Sequence, residues 1–220
     1  VQDLKLKVLD MGMGMERAAW FSQGSPTIYD AVFPTVLKKL KSKTGLKVNK
    51  KLLQRYVPHG GQLNNDEVED MNKAWKKVAK LVEVDVKELR QMILPLSRLY
   101  SIGEHMRSAL IVLNDGGLPS NVGGGYNLRM LIRRSLGFID KEDWDIDLTD
   151  LCSWHADYLE PMYPELKKNL DNIHKILEIE KKKYNNTKEK TSRIVANLKN
   201  INEEKLLELY DSQGISPDMI

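Results

Sequence analysis

One short stretch of period-two alternation, at the start of a chain that otherwise reads as helix, limits what this sequence can fold into. Leu4, Leu6 and Val8 alternate with Lys5, Lys7 and Leu9. The alternation continues as Met11, Met13 and Met15 on one face, with Asp10, Gly12, Gly14 and Glu16 on the other. The methionine face is expected to meet a core. At Arg17 the composition turns helical, and Gly24-Ser-Pro ends that turn. A lone strand cannot satisfy its own backbone hydrogen bonds. Its partners are therefore expected in a longer chain or in another subunit.

Nearly everything after Thr27 reads as helix. Thr27 is placed to cap a helix with Asp30 three positions on, running to about Lys43 before Gly45. A second helix is expected over about 49–56, then a Pro58-His-Gly-Gly loop. Asn65 is expected to cap a helix over 66–82, with acids first and lysines last. Asp85 opens another over 86–93, Pro95 is expected to break or kink it, and 96–113 follows. The strongest loop signal is Asp115-Gly-Gly-Leu-Pro-Ser-Asn-Val-Gly-Gly-Gly, before an arginine-rich helix over 126–136. An acidic, turn-rich connection over 137–148 suggests a subdomain boundary. Amphipathic helices over about 147–159, 165–183, 187–198 and 202–209 complete the chain. The lysines of 181–190 read as a solvated helix–turn–helix junction.

Composition fits a soluble, ordered protein: 41% hydrophobic and 30% charged residues in a chain of 220. No apolar run approaches the roughly 18 residues of a membrane helix. A single cysteine excludes an internal disulfide framework. No targeting segment is evident at the N-terminus, so a cytoplasmic location is the default expectation. A net charge of +3 is too small to argue nucleic-acid binding by itself, so charge distribution must carry that case.

Three constellations could carry chemistry. In Asp10-Met-Gly-Met-Gly-Met-Glu-Arg17, two glycines on one strand face expose backbone against which a ring or a small amino acid could lie. The carboxylates could receive an ammonium, and Arg17 could stack on a ring or meet phosphate. The plainer reading is close packing and an ordinary ion pair. Gly12-x-Gly14 lacks the third glycine and the turn of a dinucleotide fingerprint. Second, the stretch from Ala31 to Pro58 contains no acid and carries Lys38, Lys39, Lys41, Lys43, Lys47, Lys50, Lys51 and Arg55. Such a block either follows a phosphate backbone or forms a solvated helix face. Third, Asn121 sits in the glycine-rich loop ahead of Arg129, Arg133 and Arg134. Amide on a base edge and guanidinium on phosphate suits a nucleic-acid groove; the alternative is a long turn and a surface helix. Cys152 and His155 are expected to pack in the core and not to bind metal, because no second ligand pair accompanies them. Trp20, Trp75, Trp144 and Trp154 are expected in core or helix packing.

Together these segments resemble the alanyl-tRNA synthetase family, the archaeal form more than the bacterial. Asp10–Arg17 is similar to the third class II signature motif in its alanine-specific version. His105-Met-Arg-Ser-Ala, with Asp115-Gly-Gly-Leu-Pro-Ser-Asn-Val-Gly-Gly-Gly-Tyr and Ile132-Arg-Arg134, resembles the segment that opens the family's tRNA-recognition region. Leu209-Tyr-Asp-Ser-Gln-Gly214 resembles a short motif near that region's end.

The resemblance implies a mainly α fold: a strand–helix piece of a class II aminoacylation domain over 1–26, then helical tRNA-recognition subdomains over 27–138 and 139–220. It implies an enzyme that joins alanine to ATP and passes the alanyl group to tRNA. Asp10 and Gly12 would then bind alanine. Gly14, Glu16 and Arg17 would bind ATP, which comes with Mg2+ in the complete enzyme; no metal site is expected in this chain. Asn121 and Asp211 would read the G·U pair of the tRNA(Ala) acceptor stem. Arg133 would support the strand path, and Arg129, Arg134, Lys50 and Lys51 are also expected to bind tRNA. The implied partners are that acceptor stem and the missing catalytic portion, with neither DNA nor membrane. Alone, the chain is expected to be inactive; the runner-up is a non-catalytic tRNA- or RNA-binding helical module.

Overall fold

The computed structural model describes residues 12–64 and 68–197, with side chains as far as Arg193. The helices are α1 (Met15–Gln23), α2 (Ile28–Val32), α3 (Pro34–Thr44), α4 (Lys50–Tyr56), α5 (Met71–Val82), α6 (Val86–Asn114), α7 (Gly123–Glu142), α8 (Leu148–Leu159), α9 (Glu165–Lys168) and α10 (Leu170–Asn197). A 3-10 helix, Val57–Leu63, follows α4.

Helices are the regular structure of the described residues, which contain no strand, and this corrects the expected strand–helix piece. The expected strand's first residues, through Met11, lie outside the described residues. Where it should continue, residues 12–14 have no regular structure and Met15 already begins α1. Helical spacing replaces period-two alternation there, so the expected methionine face does not form. Met13 and Met15 are exposed rather than core, at 66% and 86%. Met15, Glu16 and Arg17 all favour helix intrinsically, and two amides of that turn, at Arg17 and Ala18, donate to the Gly14 carbonyl.

The described residues form two compact units: one holds residues up to Leu37 with Val48–Met92, the other Lys38–Lys47 with the residues from Ile93 on. In the first, Thr27 caps α2, accepting from the Asp30 amide at 3.4 Å, and Asn49 caps α4, accepting from Leu52 at 3.1 Å. Helix α5 begins at Met71, later than expected, because Asp70 caps it and accepts from the Lys73 amide at 2.9 Å. The Asn65 cap expected there lies outside the described residues. Trp75, Val78, Ala79 and Val82 are the buried stripe of α5, and Arg90 sits over the Trp75 ring at 5.3 Å. Trp20 is not core: it is partly exposed and its Nε1 donates to the Ser25 carbonyl at 2.6 Å.

The second unit centres on α7, α8 and α10. Pro95 does not end α6, which runs through it. Helix α7 starts three residues before the expected Tyr126 and continues to Glu142, through half of the segment that reads as a connection. Apolar Phe138 and Ile139 keep the helical period there, and the turn comes only at Asp143, in left-handed backbone with φ 52°. Helix α10 is likewise continuous across 181–190: it contains neither glycine nor proline, so nothing in that lysine-rich run stops it. Its buried stripe is Ile173, Leu177, Glu180, Tyr184 and Thr191, four of them spaced by three and four residues. Glu180 is a carboxylate at a core position.

Candidate nucleic-acid interface

The loop between α6 and α7 is built around two glycines that admit no side chain. A Cβ on Gly125 would lie 2.3 Å from Ser120 Oγ and 2.5 Å from the Leu118 carbonyl oxygen. One on Gly117 would meet Val112 Cγ1 at 2.6 Å. The loop is thereby folded onto its flanking helices, and the Ser120 amide donates to the Gly125 carbonyl at 3.0 Å. At its tip Asn121 is exposed, between exposed Leu118 and Val122.

Asn121 is held from behind. Arg129 Nη1 donates to Asn121 Oδ1, and Nη2 donates to the Pro119 carbonyl at 3.2 Å. The same guanidinium places Nε 3.0 Å from Glu180 Oε1 as an ion pair, without the alignment of a hydrogen bond. Arg133, one turn on, donates from Nε to that same oxygen at 3.1 Å. Two arginines of one helix face thus converge on one buried carboxylate of α10. Among the described residues, Asn121 Nδ2 has no partner, so the amide's donor end is available to a ligand. Arg134 takes no part in this network and is exposed.

The basic stretch is divided between the two units. Lys38, Lys39, Lys41, Lys43 and Lys47 belong to the second; Lys50, Lys51 and Arg55 belong to the first. Lys39 lies 5.4 Å over the Trp154 ring and Lys41 lies 5.7 Å over that of Tyr100. Lys50 and Lys51 are exposed in the first turn of α4, with no acidic partner among the described residues.

Among the described residues, the remaining nucleotide-site candidates are not brought into this arrangement. Asp10 and Asp211 lie outside the described residues. Gly12, Gly14, Glu16 and Arg17 are exposed, and a Cβ on Gly12 would meet nothing within 4 Å. By themselves these four form no enclosure that fits a nucleotide and its Mg2+. Cys152 and His155 are buried in the core. Burial, and then the Asp147 charge, pushes the Cys152 thiol up to about 12. Burial draws His155 down to about 4, against a hydrogen bond between Nε2 and the Gly103 carbonyl at 2.8 Å. Among the described residues, no group of three or more His, Cys, Asp or Glu is placed to hold a metal ion, and no helix is long and apolar enough to cross a membrane.

A family model described as tRNA synthetases class II (A) matches residues 2–220. The alanine–tRNA ligase of Methanocella arvoryzae is 43% identical over 223 residues, covering 100% of this chain and 25% of the relative. This chain belongs to the alanine–tRNA ligase family. The ligase of Halorubrum lacusprofundi is 38% identical over 97% of this chain, and that of Nitrosopumilus maritimus 34% over 99%. The chain spans about a quarter of the length of these alanine–tRNA ligases, at 24–25% of each.

Glu180 is the residue that sequence reasoning misses. Its signal is present: the 173, 177, 180, 184 spacing places an acid where the helical period calls for an apolar residue. A buried carboxylate requires a partner, and α7 supplies two arginines as candidates.

Proposed function

We propose that this chain is a non-catalytic, RNA-binding helical module of an alanine–tRNA ligase, with the tRNA acceptor stem as its ligand. The expectation that it also contributes a last active-site strand for alanine activation is set aside, because no strand forms among the described residues where it should continue: residues 12–14 have no regular structure and α1 begins at Met15. In this reading ATP and its Mg2+ are used by other parts of the larger ligase.

The observation that carries the proposal is Asn121: an exposed amide at the tip of a glycine-packed loop, fixed through its oxygen by Arg129. The minor groove of an RNA helix is wide and shallow, so a braced loop tip can reach base edges there. Exposed Arg134, further along α7, supports phosphate contact. Separately, Lys50 and Lys51 support phosphate contact from a turn where their charge does the helix no good.

Titration of an acceptor-stem minihelix with the chain tests this. Asn121→Ala should weaken binding by about 1–3 kcal/mol, the cost of one lost base contact. Unchanged affinity in Asn121→Ala would refute the assignment of that loop to RNA.

A further inference from the structure

Asn121 lies on a loop, yet the arginine that holds its side-chain oxygen also faces a carboxylate fifty-nine positions further along the chain. We infer that Glu180 is the positioning residue of the RNA-binding loop: its buried carboxylate fixes Arg129, and Arg129 fixes Asn121 and Pro119. This inference rests on the proposed role of Asn121 and names what holds it in place.

Three observations carry it. First, Glu180 is buried in the α10 core stripe, where a carboxylate is costly unless it is paired. Its Oε1 has both Arg129 and Arg133 beside it, and among the described residues the cation nearest Oε2 is Lys183, with Nζ at 3.9 Å. Second, Arg129 divides its fork. Nε faces Glu180, while Nη1 and Nη2 reach the loop at Asn121 and Pro119. A guanidinium is planar and rigid, so turning Nε toward Glu180 also sets the direction of Nη1 and Nη2. Third, the loop's own backbone does not orient the Asn121 side chain; the Arg129 donor is its partner among the described residues. Among the described residues, no hydrogen bond or ion pair joins Glu180 to a loop residue. Its effect on RNA therefore passes through Arg129, and it is a positioning residue and not a contact residue.

A double-mutant cycle in the full 220-residue chain tests this, with minihelix affinity and melting temperature read for each variant. Glu180→Gln keeps the shape of the side chain and removes the charge that holds the fork. It should weaken minihelix binding about tenfold with Asn121 present, and less than about twofold in the Asn121→Ala background. Arg129→Lys leaves the Arg133–Glu180 pair in place and cannot bridge to both Asn121 and Pro119. It should show the same dependence on Asn121, and it decides the question if Glu180→Gln does not fold. Equal weakening in both backgrounds, or none, would overturn the positioning role. If Asn121→Ala alone leaves affinity unchanged, the RNA reading of the loop fails, and that outcome is separate from a failure of coupling.

Discussion

Lys181 and Asp147 tie the middle of α10 to the start of α8, with Nζ 2.7 Å from Oδ2. Asp147 also caps α8, accepting from the Thr149 amide at 2.8 Å and its hydroxyl at 2.6 Å. One carboxylate thus ends a helix and links it to a second.

That linkage has a sign. Burial alone would raise the Asp147 carboxyl, but hydrogen bonds from Lys181 and Thr149 outweigh burial and bring it down to about 2. A folded value below the unfolded one gives stability that is present above pH about 4 and is lost as pH falls towards about 2. Asp147→Asn keeps a capping side chain and removes this titration. The wild-type melting temperature should fall more steeply than that of Asp147→Asn below pH about 4, with the two curves parallel above pH about 5. Parallel curves throughout would show that the pair is screened by solvent.

The glycines that open α7 are not equivalent. Gly125→Ala would put a Cβ 2.3 Å from Ser120 Oγ, and should cost about 1–3 kcal/mol in chemical denaturation. A methyl on Gly124 would meet nothing within 4 Å, and the residue lies in a helical turn. Gly124→Ala should therefore be neutral or stabilise by up to about 1 kcal/mol. Equal effects at both positions would mean that Gly125 is not packed against the loop.

Lys50 and Lys51 stand at the positive end of the α4 dipole, where an acid would be preferred. Lys50→Glu should therefore stabilise the fold by about 0.3–1 kcal/mol while weakening minihelix binding. A variant that neither gains stability nor loses affinity would detach these lysines from RNA binding.

Much of the helical pattern is legible in the sequence because the caps act locally. Thr27 satisfies an amide three residues on, as its spacing to Asp30 suggests, while Asn49 and Asp147, read as the first residues of their helices, prove to cap them in the same local way. What misleads is the local reading of longer-range effects. Alternating methionines and glycines look like a strand, yet Met15 begins a helix. Pro95 looks like a helix break, but neighbouring buried residues, Ile93, Leu96 and Leu99, keep α6 continuous across it. At the candidate site, Asn121 and the arginines are visible as residue types suited to RNA. That two of those arginines face Glu180 is not visible, because the partner is on another helix and tertiary pairing leaves no local pattern.

If this chain holds RNA electrostatically and through Asn121, its affinity must respond to salt. The most direct measurement is the affinity of the chain for an acceptor-stem minihelix across a series of salt concentrations. Log K should fall linearly with log salt, by about 0.7–0.9 for each phosphate neutralised, and Lys50→Ala or Arg134→Ala should lower the slope by about one such step. A slope near zero in the intact chain, or no measurable binding at low salt, would contradict RNA binding by this module.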